Sequence, residues 1–198
     1  MRSERVSGPV LRQVREATGA LHDTLDADAD AQDILAGRVA RHTYVRMLRA
    51  HWALHQYVAG YTHACLSEHP DLDLLDWPAC DRLEALQTDL MALNAAPDQL
   101  TESATAVAVS NPAFACGLLY VVEGACHGTG QMLRALKKNA TFAGWGADAF
   151  MTVSRQGIAK RWPRTVALLE QQGARHIDQV TAGAVAGFEC YAKAHALG

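Results

Sequence analysis

The stretch Asn111-Pro112-Ala113-Phe114-Ala115-Cys116-Gly117-Leu118-Leu119-Tyr120-Val121-Val122-Glu123-Gly124-Ala125-Cys126-His127-Gly128-Thr129-Gly130-Gln131 decides the fold. Asn caps a helix with its side chain and Pro suits the first helical turn, so the pair reads as the start of a helix from Ala113 onward, despite the β-branched Val121 and Val122. Taken locally, a buried strand is the alternative. The apolar run Ala113 to Val122 falls far short of the roughly 20 residues that cross a bilayer, and reads as a buried core segment. Gly124, Gly128 and Gly130 then interrupt the helical pattern. Each costs about 1 kcal/mol against alanine in a helix interior, so the run needs a compensating reason. Gly124 and Gly128 are four apart and share a face. A stripe without side chains lets a flat ligand or a second helix touch the main chain, and it offers a place to bend. Close helix packing accounts for the pair as well as a ligand does.

Working outward, Leu11, Val14, Thr18, Leu21 and Leu25 recur at three- and four-residue steps, which predicts an amphipathic helix over 10–25 with His22 beside its buried stripe. A longer helix starts near Thr43 and runs past His63, with Tyr44, Met47, Leu48, Trp52, His55 and Val58 inward. Trp77-Pro78 marks another start, and Leu83, Leu86, Leu90 and Leu93 supply a stripe that ends near Asn94. Further helices are expected over 157–172 and 176–195, separated by Gly173. No strand pair, repeat or low-complexity segment stands out. The expectation is one all-α domain over 1–198, a bundle of about six to eight helices joined by short loops, with residues 1–8 as a flexible N-terminus.

Composition agrees. A chain of 198 residues can bury one sizeable core, and 49% hydrophobic with 20% charged residues is ordinary for a globular protein. The net charge of -3, without a long Lys/Arg run, gives no reason to expect nucleic acid or an anionic membrane as partner. An anionic ligand must be met by a local basic cluster. Cys65, Cys80, Cys116, Cys126 and Cys190 are odd in number, widely spaced and without a CxxC pair, so neither a disulfide framework nor a zinc knuckle is indicated. Residues 1–13 are charged and lack a signal-peptide core, and a cytoplasmic location with reduced thiols is expected.

The run Leu11-Arg12-Gln13-Val14-Arg15-Glu16-Ala17-Thr18-Gly19-Ala20-Leu21-His22 resembles the proximal helix of heme oxygenases, with a histidine four residues after an Ala-Thr pair. About 100 residues later, Leu118-Leu119-Tyr120-Val121-Val122-Glu123-Gly124 resembles the distal helix of the bacterial, biliverdin-producing members, in which a Leu-Tyr-Val-x-Glu-Gly run leads into a GxxxG kink. Two separated motifs in the right order weigh far more than either alone. The resemblance extends less specifically to 157–169 and to the final segment with Phe188 and Tyr191. It implies a heme-oxygenase-like helical bundle that cleaves heme to biliverdin, releasing iron and carbon monoxide, with heme as both prosthetic group and substrate. His22 would then be the proximal iron ligand through a neutral imidazole. Gly124 and Gly128 would let the distal backbone lie against the porphyrin and steer bound oxygen towards one meso carbon. Arg15 matches a basic position on the proximal helix and is the first candidate partner for the anionic propionates; Lys160 and Arg164 flank a site where Pro163 replaces a further basic residue. An external electron donor, a ferredoxin or reductase, is implied, and pigment supply to a phytochrome stands beside iron acquisition and heme disposal as a role for the product.

Two residues depart from the pattern. Many members follow the first distal glycine with Asp or Ser, which holds a proton-delivering water network; here Ala125 stands there, and backbone carbonyls, Thr129 or another donor must serve. His127 replaces a usually apolar residue within a Gly-Thr-Gly order, which raises a second possible iron ligand. These departures favour, as an alternative, a carrier or sensor that holds heme without degrading it. A dimetal oxygenase on the same fold is the other alternative, on the strength of Glu123 with His127 and His51 with His55, each pair on one side of a helix.

Overall fold

In the computed structural model, which describes residues 8–69, 79–96 and 111–197, every regular element is a helix. They are α1 (Pro9–Asp26), α2 (Ala29–Leu35), α3 (Arg41–Glu68), α4 (Ala79–Ala92), α5 (Pro112–Leu136), α6 (Ala140–Ala143), α7 (Ala149–Arg155) and α8 (Ile158–Leu197). The helical expectations for 10–25, for the segment past Thr43 and for the segment after Asn111-Pro112 agree with α1, α3 and α5. Trp77-Pro78, and residues 1–7 of the expected flexible N-terminus, lie outside the described residues. Gly8 is the residue before the first turn of α1 and has extended backbone angles.

Helix starts are satisfied in two ways. Asp28, Asn111 and Asn139 accept backbone N–H bonds from the first turns of α2, α5 and α6, the local capping that short polar side chains perform. α1 and α7 are capped from a distance. The Glu170 carboxylate of α8 accepts from Val10 N at 3.2 Å and Leu11 N at 2.8 Å, and Asp89 of α4 accepts from Ala149 N and Phe150 N, each at 2.9 Å. Carboxylates placed at positive helix ends stabilise the helix and bind one element to another at the same time.

Two cores lie side by side. The first joins Val10, Leu11 and Val14 of α1, Leu54, Val58 and Tyr61 of α3, Leu118, Leu119 and Val122 of α5, and Val166, Leu169 and Val180 of α8. The second joins Ile34, Tyr44, Leu48, Leu86, Leu90, Leu133, Leu136, Phe142 and Phe150, from α2, the first half of α3, α4, the last turns of α5, α6 and α7. α3 and α5 run through both. α8 is the spine, with α5 and α1 laid along it. Its internal break is at His176 (φ -135°, ψ 42°), three residues after the expected separator Gly173. Gly173 serves packing instead: a Cβ there would stand 2.9 Å from Cγ2 of Val10, so its bareness lets α1 seat on α8.

Candidate heme site

The proximal element is α1. Arg15 and His22 stand seven residues, about two turns, apart, so they rise from the same side of the helix. Both are exposed, His22 with a side chain 59% accessible. Its Nδ1 lies 3.2 Å from Oδ2 of Asp26, one turn further on. A carboxylate on Nδ1 orients the ring and leaves Nε2 outside that contact. Sequence reasoning passed over Asp26, although an acid four residues after a helical histidine is the available signal. Phe188 of α8 approaches the His22 ring at 6.1 Å between centroids.

The element expected to be distal is α5, and its glycines Gly124 and Gly128 are unlike. A Cβ on Gly124 would sit 3.8 Å from Cζ3 of Trp162, an ordinary contact, so this glycine faces an α8 side chain. A Cβ on Gly128 would meet no atom within 4 Å and would project into open space. Trp162 organises the neighbourhood, with its ring 5.9 Å from Tyr120 and 4.9 Å, edge to face, from His127. His127 is exposed. Partial burial lowers its pKa, the Glu123 charge pulls the other way, and the positive charge of Arg15 lowers it again. The last effect reports that Arg15 of α1 and His127 of α5 reach towards the same space.

Of the basic cluster at the start of α8, Lys160 and Arg164 are exposed, while Arg161 between them turns inward. Its Nε donates to Glu123 Oε2 at 3.0 Å, its Nη2 to the Ser154 carbonyl at 3.0 Å, and its Nη1 to the Gln156 carbonyl. Arg82 of α4, fully buried, donates Nη2 to Glu123 Oε1 at 2.7 Å. Neither arginine stood out in the sequence, because nothing local announces a partner 41 or 38 residues away.

Thr129, suggested above as a replacement proton donor, is buried and donates its hydroxyl to the Cys126 carbonyl at 2.8 Å. Its proton is committed to the helix itself, and only its lone pairs remain to receive a bond.

The two ligand pairs of the dimetal alternative do not form a converging group of three or more ligand atoms among the described residues, although the His51 and His55 rings lie 6.0 Å apart. Glu123 is held between two arginines, whereas His127 lies out against Trp162. His51 and His55 are buried among aromatic rings, with His51 4.7 Å from Phe150 and 4.9 Å from Tyr191. Burial, with the Arg82 charge next in weight, lowers His51 from 6.5 to about 3 and moves His55 the same way, so both stay neutral. Among the described residues, the group of His, Cys, Asp and Glu whose atoms converge within 4.8 Å is Asp28, Asp30 and His195, which includes neither pair, and Arg46 already pairs with Asp30.

A sequence model described as heme oxygenase matches residues 9–195. The chain belongs to the heme oxygenase family. That match takes in every described helix from α1 to α7 and all but the last two residues of α8, so the all-α architecture is the family's fold. No match is found among curated proteins. The family is one of heme-degrading oxygenases, and the residues present suit its ligand. An imidazole with a carboxylate behind it faces outward on α1, the cations Arg15, Lys160 and Arg164 offer partners for carboxylates, and at Gly128 bare helix borders open space. No helix among the described residues is long and apolar enough to cross a membrane.

Proposed function

We propose that this chain oxidatively cleaves heme to biliverdin, releasing iron and carbon monoxide, as the bacterial members of its family do. The observation that carries the reading is the exposed His22, braced through Nδ1 by Asp26, on a helix that shares its supporting α8 with the glycine-bearing α5. Heme supplies the redox-active iron and is itself the carbon framework consumed. His22 would hold the metal through Nε2, with Asp26 orienting the ring through Nδ1. Arg15, Lys160 and Arg164 bind the propionates from the rim, where exposed cations can reach anionic groups without a large desolvation cost. Gly124 and Gly128 would be the catalytic main chain: with no side chains they would let the α5 backbone approach bound heme, exclude bulk water and limit where an oxidant can reach the ring.

Proton supply is arranged differently from the usual pattern. Ala125 offers no polar group and the Thr129 hydroxyl donates to Cys126, so protons arrive by water bound to main-chain carbonyls or to the neighbouring His127. This same observation favours the second reading, a protein that holds heme without degrading it. Electrons come from an external donor, a ferredoxin or a reductase. The cytoplasm is the compartment that fits the free thiols Cys65, Cys116, Cys126 and Cys190.

Hemin added to the purified protein, followed by ascorbate or a ferredoxin system, tests the proposal. Decay of the Soret band with growth of biliverdin absorption is the expected result. A reduced heme complex that persists assigns the carrier role, and failure to take up hemin removes both readings. The His22→Ala variant is expected to fold normally and lose normal axial ligation; an unchanged spectrum with full turnover would show that another residue is the ligand.

A further inference from the structure

Glu123 has no part in gripping heme in the reading above, yet its side chain is 2% exposed and it stands one residue before Gly124. Arg82 reaches it from α4 at 2.7 Å and Arg161 from α8 at 3.0 Å. Because Arg161 also donates to the carbonyls of Ser154 and Gln156, one carboxylate ties α5 to α4, to the end of α7 and to the start of α8. The two arginines and one glutamate leave a net positive charge, and among the described residues the buried Nε and Nη1 of Arg82 have no hydrogen-bond partner. Glu123 is therefore the counter-charge of this guanidinium among the described residues, and breaking such a pair costs far more than forming it gains.

Trp162, the residue after Arg161, carries the ring that lies against Tyr120 and His127 and borders Gly124. Along Gly124 to Gly128 the spacing from α8 rests on Trp162, since Gly124 opposite it has no side chain and His127 meets its ring only edge to face. The position of Trp162 then has to be held from elsewhere on α5. Glu123 lies about 100° round the helix from Gly124, buried where Gly124 is only half-buried, and it grips the residue adjoining Trp162.

Resting on the heme reading of this site, we propose that Arg82, Glu123 and Arg161 form a positioning cluster that holds Trp162 at a set distance from Gly124 and His127, and thereby determines which meso edge of the porphyrin the distal main chain presents for cleavage. The cluster touches neither substrate nor reacting atoms. It acts through Trp162 and the α5 backbone.

Glu123→Gln tests this in the full chain with two readouts. In the protein without hemin, nuclear Overhauser contacts between the Trp162 and His127 rings report the spacing; with hemin and ascorbate, chromatography of the biliverdin isomers reports the consequence. Loss or weakening of the ring contact together with a changed isomer ratio is expected, with helical circular dichroism retained. Arg161→Lys keeps the charge but cannot fork to Glu123, Ser154 and Gln156, so it should show the same changes to a smaller degree, and it serves if Glu123→Gln does not fold. Glu84→Gln, at an exposed position of α4, should show neither. An unaltered isomer ratio overturns the proposal, with or without a change in the ring contact. If the wild-type chain takes up no hemin, the heme reading itself has failed, and a ring contact kept in Glu123→Gln then overturns the clamp independently.

Discussion

The two halves of α5 use glycine for opposite ends. In the first half Gly117 is buried where α5 and α8 touch main chain to main chain: a Cβ there would collide with the Val180 carbonyl and stand 2.6 Å from Ala184 N. Gly183 answers it from α8, where an added Cβ would run into the Phe114 carbonyl and stand 2.9 Å from its carbon. In the second half Gly124 has a side chain's width between itself and Trp162 and Gly128 has open space, while Gly130 beyond them is buried, with an added Cβ 3.3 Å from Arg155 Cδ. Where the helices are pressed together the bare residue permits burial; where they part it leaves a face for something else. Residue type alone therefore says nothing about role. The distance to the nearest neighbour says which role it is.

The comparison breaks most visibly at Gly117. Overfilling a packed contact typically costs 1–3 kcal/mol, and here the obstacle is backbone on both sides, which cannot rotate away; Gly117→Ala is expected to cost about 3 kcal/mol or more. Urea unfolding followed by circular dichroism measures it. A midpoint equal to that of the wild type would mean that α5 and α8 do not meet as described. Gly128→Leu is the contrasting substitution. Leucine is a better helix former than glycine by about 0.8 kcal/mol, so stability should hold or rise slightly while hemin uptake falls steeply. Tight hemin binding by Gly128→Leu would show that this face is not where the porphyrin lies.

How far these roles could be foreseen depends on the range of the interaction that fixes them. α5 was legible because its signals are local: Asn111-Pro112 sets the start and ten apolar residues set the burial. The family was legible from two motifs, the one ending at His22 and the one leading into Gly124, and Asp26 could have been added to the first from its spacing. The short helices were harder. α7 receives its cap from Asp89, 60 residues earlier in the chain, and nothing near Ala149 announces it. Gly117 and Gly183 were passed over, since a glycine in an apolar run gives no hint of which carbonyl will press against it. Gly173 was read as a separator for the same reason, whereas its bareness accommodates Val10. Arg82 was the most hidden: an arginine on an amphipathic helix ordinarily points to water, and this one is fully buried because its partner lies on α5.

The halves also differ in charge, which acid should expose. The first half of α5 sits among apolar residues, whereas Glu123, at the head of the second, meets Arg82, whose charge reaches His51. His51 is held neutral in the folded chain, its pKa lowered from 6.5 to about 3 chiefly by burial. Below the ordinary value the unfolded chain takes up a proton that the folded chain refuses, so the stability associated with His51 is present above about pH 6.5 and is lost as pH falls towards 3. Asp89 works in the opposite sense. Burial is the main cause of its rise from 3.8 to about 6, so its contribution diminishes as pH rises through that range. The difference between wild type and His51→Gln isolates the histidine: the gap in unfolding free energy should close, or change sign, on acidification from pH 7 to pH 4. A gap independent of pH would mean that His51 titrates normally and is not enclosed.

The smallest effect bears most directly on whether the second half of α5 faces α1 across a shared space. His127 is lowered by burial, raised by Glu123 and lowered by Arg15. Glu123 belongs to the same helix and would act on His127 in almost any arrangement of the bundle. Arg15 belongs to α1, more than 100 residues earlier in the chain, and its charge is felt at His127 only if the fold brings the two side chains near one another. Removing that charge with Arg15→Gln should therefore raise the His127 pKa, and Glu123→Gln should lower it. Titration of the His127 ring by nuclear magnetic resonance reads both directions in the protein without hemin. Raising the salt concentration should shrink the Arg15 effect, because both side chains are solvent-accessible and charges across an open cleft are screened within about 10 Å at 0.1 M. An Arg15→Gln titration that overlays the wild type at low salt would remove the geometric link between the helix that carries His22 and the helix that carries Gly128.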